Sequence, residues 1–554
     1  MRVLRYGLIG ISLAIVSVLA VLRFTSLGTQ LLGSARAQEF SLPAGNLGVP
    51  HERAMVWNAR SAFAEEIQQT WAAKPLGDWQ KAGKGNAPRV LLARLVTRTR
   101  LAETNDFLRA LRPWGNSGSR WALHPDGDYD FTLAVLTAIL WLRGDDPDTL
   151  FPTTRDHLLH TLLTEDGDRF RATVPRSLGI VNETENHILM TEGSRYLKNR
   201  WLQTHGNAAA RYDNVANGME EKLLAFLREL KTNGLYEFNS QPYIGYTITA
   251  LLNLEAFAAE PVRLAARDVL DYLNWTYALG SYRLRHYPPF RRRYEYAAAT
   301  SLTLGYQSAF MKTWLGYAPT PLEMTALGKG GDVHALFGAC LPYRPPDQVV
   351  SLLLDKGRGY FAQLGHGPGA SPEIYSAGSR FLLGAGGAHR GERANVIARP
   401  ITLLLDDDAS ELADVFHLVG PGGDFRHWNN TGVERNFACA AGPVHVPSGF
   451  SAVRQRGDWR IFVVRPGLTV AIHSTPSRGL LAVFPNRDPD DVLRGILENN
   501  SDSAALSHRF RFPNGPTLTY DLAAPMDRWV MISRDGRMLD REYDRWPLLA
   551  GWFD

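Results

Sequence analysis

Residues 318–346 read APTPLEMTALGKGGDVHALFGACLPYRPP, with prolines at 319, 321, 342, 345 and 346. The hydrophobic periodicity changes across this stretch. Before it, segments 54–71, 89–111, 131–142, 154–164, 185–201, 219–230, 243–258, 262–278 and 297–315 carry apolar residues at three- and four-residue spacing, the mark of helices with one buried face. Asp130 before Phe131, and Asn239, Ser240 and Pro242 before Tyr243, supply helix-start chemistry. After it, short runs rich in β-branched, aromatic and aliphatic residues follow at 349–353, 378–383, 397–405, 437–441, 449–454, 460–464, 469–474, 480–484, 517–521 and 528–532. Gly, Pro, Asp and Asn punctuate them, as they do between strands. The prolines are read as a linker. The expectation is an α + β multidomain chain: an N-terminal (α/α) toroid of paired helices over 45–330, then an antiparallel β-sandwich over 345–554, with a cleft between them. No fixed repeat length supports a regular solenoid.

The chain has 554 residues, 45% hydrophobic and 21% charged, a globular composition. Cys340 and Cys439 are its two cysteines, too few for a disulfide scaffold, a Cys-rich zinc module or an iron–sulfur site. They could pair in an oxidising compartment if the fold brought them together. Residues 1–37 hold Arg2, Arg5, Arg23 and Arg36 and no acid; without these four, the basic residues equal the 56 acidic ones. A neutral mature chain excludes a general nucleic-acid binder. Arg2 and Arg5, the apolar stretch from Gly7 to Leu22, and Ala35-Arg36-Ala37 read as an export signal, either cleaved or kept as an N-terminal anchor. The protein is therefore expected in the periplasm or outside the cell, touching a membrane only through that anchor.

The usual phosphate-loop, zincin, Cys-x-x-Cys and nucleophile-elbow motifs are absent, so no metal or cofactor is expected. The run Gly384-Ala385-Gly386-Gly387 is read as a tight turn, and His157 and His160 as packed or surface histidines. Four polar clusters remain. Asn182-Glu183-Thr184-Glu185-Asn186-His187 opens a helix, where acids also fit a plain cap. Glu237-Phe238-Asn239-Ser240-Gln241 leads to Tyr243 and Tyr246, three residues apart on one helix face. Arg283-Leu284-Arg285-His286 through Arg291-Arg292-Arg293 forms a cationic loop suited to carboxylates or sulfates. Asp126-Gly127-Asp128-Tyr129-Asp130 offers carboxylates at a turn.

Glu185-Asn186-His187 with Arg195-Tyr196-Leu197, Tyr236-Glu237-Phe238-Asn239-Ser240 with its paired tyrosines, and Glu373–Gly378 with Leu382–Gly387 resemble segments of uncharacterised bacterial proteins that combine an α/α toroid with a β-sandwich. The layout is similar, more distantly, to the alginate and heparin polysaccharide lyase superfamily. That resemblance implies β-elimination on a uronate-containing glycan. Asn186 and His187 would neutralise the substrate carboxylate, and Tyr246, or Tyr243 in its place, would move the proton. Glu185, Asn239, Arg283, Arg285 and His286 would bind the substrate. The acids Glu183 and Glu185 beside the Asn–His pair depart from what an anionic sugar prefers.

The first reading is thus an exported lyase acting on an anionic polysaccharide. A glycoside hydrolase pairing Glu185 or Glu237 with Asp130 or Asp128 is the alternative. A third is an envelope polysaccharide-binding protein that keeps the cleft, the 14 tryptophans and the basic loop without catalysis.

Overall fold

The computed structural model describes residues 53–553 apart from 78–86, 317–331, 388–395 and the single positions 242, 293, 304, 358 and 427. The export segment and the prolines at 319 and 321 lie outside the described residues.

Helices fill the N-terminal part and antiparallel sheets the C-terminal part. Asp130–Arg143 and Tyr243–Phe257 are apolar on nearly every face and buried almost throughout. Such helices belong inside a structure, and Asn253 Nδ2 donates to Ala134 O (2.7 Å) to tie the two together. Met219–Asn233 instead buries Met219, Leu223, Leu227 and Leu230, a single four-residue stripe that marks an outer helix. Neighbours follow the chain: Arg53–Ala73 packs on Ala87–Val96, that helix on Asp130–Arg143, then Glu185–Thr204, then Tyr243–Phe257. The Tyr243 helix also touches Asp332–Cys340, which returns to the first two helices.

Several local expectations give way. The stretch 89–111 is two helices, because Arg98 and Arg100 take left-handed φ of 56° and 48° between Val96 and Leu101. Of 154–164, Pro152–His157 is α-helical and Leu158–Leu162 a π turn. Only Tyr306–Leu315 of 297–315 is helical. Asp332–Cys340 is a helix inside the expected linker, and 349–353 belongs to the helix Asp347–Leu354. The run Gly384–Gly386 ends a strand, where a Cβ on Gly386 would clash with Pro372 O.

Seven strands form one sheet in the order Val444–His445, Phe416–Leu418, Ile401–Leu405, Phe381–Gly386, Glu373–Gly378, Tyr360–Leu364 and Ala550–Phe553. Alternation along its strands serves two cores. Tyr360, Ala362, Leu364, Tyr375 and Ala377 join the helical core. Phe361, Ile374, Phe381, Leu383 and Leu403 face a second core, shared with the six-stranded sheet Val433–Glu434, Phe437–Ala440, Arg478–Pro485, Leu468–Thr475, Trp459–Arg465, Arg454–Arg456. Burial on both faces explains why these strands read as continuous apolar runs. Within this half lies an unexpected helix, Pro489–Asn499, capped by Asp488 and buried through Val492 and Ile496.

Candidate functional site

The first turns of the Asp130, Glu185 and Tyr243 helices lie together. Asp130 Oδ2 sits 2.7 Å from His187 Nδ1, and its Oδ1 accepts the Gly118 N–H (3.0 Å). Phe131 meets His187 and Tyr246 edge-on, with ring centroids 5.2 and 4.4 Å away. Asp128 Oδ1 lies 4.0 Å from His187 Nε2. Burial opposes a charge on His187, but Asp130 at contact distance, with Glu183 and Asp128, outweighs it and lifts the imidazole to about 9. At neutral pH His187 is a buried imidazolium, a donor and not a base.

One residue earlier, Asn186 Nδ2 donates to Glu237 Oε2 (2.5 Å) and Thr184 Oγ1 (3.1 Å). Glu237 is capped from its other side by the Arg292 guanidinium. Arg292 also lies 4.6 Å over the Tyr243 ring. Glu185 Oε1 accepts the Glu237 N–H (2.8 Å). Burial and the neighbouring Glu237 charge push the Glu185 carboxyl up to about 7, with Arg291 pulling the other way. Arg291 spreads over the Tyr236 ring at 4.2 Å. Elements far apart in the chain (helix starts near 130, 185 and 243 and the arginine loop) thus meet through buried polar contacts.

Beside this cluster opens a cavity of about 200 Å³, whose wall includes Glu183, Glu185, Glu229, Tyr236, Arg291 and His366. Of the residues expected from sequence to act, Glu185 lines it, and so does Arg291 of the cationic loop; Asn186, His187, Tyr243 and Tyr246 do not. Asn186 and His187 are buried, and Tyr243 lies beneath Arg292. Tyr246 is half-buried, set edge-on to His334 at 4.7 Å and beneath Arg89.

The remaining expected binding residues lie elsewhere. Arg285 is buried and pairs with Asp407 (2.5 Å). Arg283 lies 5.9 Å from the centre of the Tyr282 ring, and its N–H donates to Leu353 O. Asn239 and His286 line a separate, smaller pocket of about 30 Å³ with Arg399. Burial holds the His286 imidazole down at about 4, so it is neutral. Cys340 and Cys439 are free thiols.

His366 was not singled out by sequence. It sits in the turn Gly365-His366-Gly367, directly after the strand Tyr360–Leu364, and stacks on Phe238 at 3.8 Å. Its Nε2 lies 2.7 Å from Glu373 Oε1, and its buried Nδ1 has no partner. Tyr375 donates its hydroxyl to the other Glu373 oxygen. Burial alone would raise Glu373, but His366 and Tyr375 together hold it below the ordinary carboxylate range. A lone histidine between glycines carries little signal; its place at the end of an apolar run, seven residues before Glu373, is the cue the sequence holds.

Chemically, the cavity brings together a carboxyl that titrates near neutrality, a guanidinium, a phenol and an imidazole fixed by a carboxylate. Among the described residues no group of three or more His, Cys, Asp or Glu side chains is placed to hold a metal ion. No protein-family model and no curated protein matches the chain.

Proposed function

We propose that the protein is a polysaccharide lyase that cleaves a uronate-containing glycan by β-elimination in the cavity between Glu185 and His366. One observation carries this reading: His366 stands in the cavity wall with one nitrogen committed to Glu373 and the other without a partner. That is the arrangement of an oriented base. The proton α to a uronate carboxylate becomes acidic only when the carboxylate charge is offset. Arg291 supplies positive charge there. Glu185, carrying a proton for part of its time at neutrality, donates a hydrogen bond to the sugar carboxylate instead of repelling it. His366 Nδ1 then takes the α proton, the C–O bond at the β carbon breaks, and Tyr236 protonates the departing oxygen. Asn186, Glu237 and Arg292 act behind the wall, fixing Glu185 and the arginine loop, while His187 and Asp130 lock the neighbouring helix starts.

The order of helix contacts, which returns from Asp332–Cys340 to the first helices, supports a closed α/α toroid. The core shared by the two large sheets supports a β-sandwich. Export of the chain and an anionic polysaccharide as its partner belong to the same reading.

A carboxylate-pair hydrolase is the second reading, favoured by Glu183 and Glu185 lining the same cavity, with Glu185 raised as a general acid requires. The two part on their products. Incubated with uronate glycans, a lyase generates the ultraviolet absorbance of an unsaturated uronate, and His366→Ala lowers its rate by about 10²–10⁴. New reducing ends without that absorbance point to the hydrolase, and neither product points to a binding protein.

A further inference from the structure

Two loops at the edge of the cavity share an unusual composition. Residues 112–125 read RPWGNSGSRWALHP and residues 169–182 read RFRATVPRSLGIVN. Together they hold five arginines, with exposed acids only at their margins, Asp126 after the first and Asp168 before the second. The second loop folds back on itself, Val174 N–H donating to Val181 O (2.8 Å), and its base supplies Ala172 and Asn182 to the cavity wall. At its tip, Ile180 N–H donates to Ser177 O (3.1 Å), and Arg176, Leu178 and Gly179 take left-handed φ of 62°, 56° and 76°. A bulky aliphatic residue rarely adopts that conformation. Here it throws the side chain outward: Leu178 is 91% exposed and Ile180 61%.

The first loop meets this tip. Arg176 donates to Leu123 O (2.9 Å) and Trp121 Nε1 donates to Pro175 O (2.9 Å), so the two loops are braced as one projection. Leu123 is itself 57% exposed. Folding leaves three large aliphatic side chains in water on one rigid projection, with exposed Arg120 and Arg176 beside them and Trp121 half-buried at the base. Water does not reward that arrangement. An aliphatic tip, a tryptophan at its base and exposed Arg120 and Arg176 beside it match the layers of an anionic bilayer: acyl region, interface, headgroups. A protein partner would need only the apolar tip, and an anionic glycan only the arginines. The bilayer accounts for both.

We infer that loops 112–125 and 169–182 form a membrane-seating tip, in which Leu123, Leu178 and Ile180 enter the outer acyl layer of an anionic lipid bilayer while the arginines meet its phosphates. Seating would turn the mouth of the cavity toward glycans held near the lipid surface. This contact is separate from any N-terminal anchor and does not depend on the chemistry in the cavity.

The apolar stretch Gly7–Leu22 can hold the full chain on vesicles by itself, so the readout must be local to the tip. Ala122 is exposed next to Leu123. An environment-sensitive fluorophore on Ala122→Cys reports insertion there, since the native thiols are poor competitors: burial lifts Cys340 to about 12 and raises Cys439 as well. With vesicles of phosphatidylcholine and phosphatidylglycerol the emission should shift to the blue and strengthen. Added salt should weaken the response, because the arginine contacts are screened. Leu178→Asp with Ile180→Asp should cut the response at least about tenfold, each loss being that of a buried aliphatic side chain. Both positions are exposed, so the double variant should keep the parent's thermal midpoint and its activity on soluble glycans. A response of equal size on phosphatidylcholine alone, or one untouched by the double variant, overturns the assignment. No shift with either vesicle also overturns it and leaves the projection as a docking face for another protein.

Discussion

His187 keeps its proton because Asp130, Asp128 and Glu183 surround an imidazole that solvent barely reaches. Its folded value of about 9 stands above the ordinary value of about 6.5. The fold therefore binds this proton more tightly than the unfolded chain does. By linkage the stabilisation is complete below about pH 6.5 and disappears as pH rises through about 9, and its size is about 3 kcal/mol. His187→Gln retains a donor for Asp130 but cannot titrate. Urea unfolding of the parent should show stability falling from about pH 6.5 to about pH 9.5, and the variant should lack that component of the fall. Parallel profiles for the two proteins would mean that His187 is neutral in the fold.

Among its described residues the arginine loop has only two-residue strands and a single 3-10 turn of its own, and it holds its place because buried Arg399 reaches into it. Arg399 donates to the Tyr287 hydroxyl (2.8 Å), Tyr296 O (3.1 Å), Ala297 O (3.1 Å) and Ala299 O. A two-residue ladder, Phe290–Arg291 against Val396–Ile397, fixes the same loop to the sheet half. Arg399→Met fills much of the volume but strands those acceptors. It should cost about 2–4 kcal/mol in thermal or urea unfolding. Backbone amides of 287–299 should exchange hydrogen faster, and under the proposed lyase reading glycan affinity should fall because Arg291 and Arg292 lose their setting. Unchanged exchange in that segment would assign the loop's order to the ladder alone. How far such features could be read from sequence depends on range. The helix starts at Asp130, Glu185 and Tyr243 were legible because apolar periodicity is local, whereas Asp130 proves to lie inside its helix, and Tyr129 and Thr184 stand at the N-caps without a side-chain cap bond. Pro489–Asn499 carries the same local marks, with Asp488, Pro489, two acids in the first turn and the pair Val492 and Ile496, but it is embedded among strands. The run VVSLLL at 349–354 was not decidable, since five apolar residues around Ser351 fit a buried strand or a short helix alike. The site was half visible. All four polar clusters hold functional-looking contacts, but Glu237 with Arg292 and His366 with Glu373 are products of the tertiary fold, and no periodicity announces them.

Across the whole molecule, the seven-stranded sheet belongs to two cores at once. Its Tyr360, Ala362, Leu364, Tyr375, Ala377, Leu382 and Leu404 complete the helical core, while the alternate residues complete the core with the six-stranded sheet. An ion-pair chain crosses the same junction. Buried Arg285 of the helical half binds Asp407, Asp407 and Asp406 bind Arg465, and Asp406 binds Arg380. These contacts make the helical half a poor candidate for independent folding, even though its helices fill most of 53–340. Expressed as residues 45–345, it would expose the apolar face that the sheet now covers and leave Arg285 without Asp407. The expected outcome is an aggregated or dye-binding fragment, whereas the full chain unfolds in one calorimetric transition. The ion pair then separates apolar from electrostatic coupling. Asp407→Ala removes one partner and leaves a buried guanidinium uncompensated, which costs about 3–5 kcal/mol, whereas Arg285→Met removes the buried charge itself and should cost far less. If the fragment instead unfolds cooperatively at the midpoint of the full chain, the shared core adds nothing to the helical half. The two halves would then be independent domains in contact, and the cavity wall built by His366 and Arg291 would be free to open and close as they move.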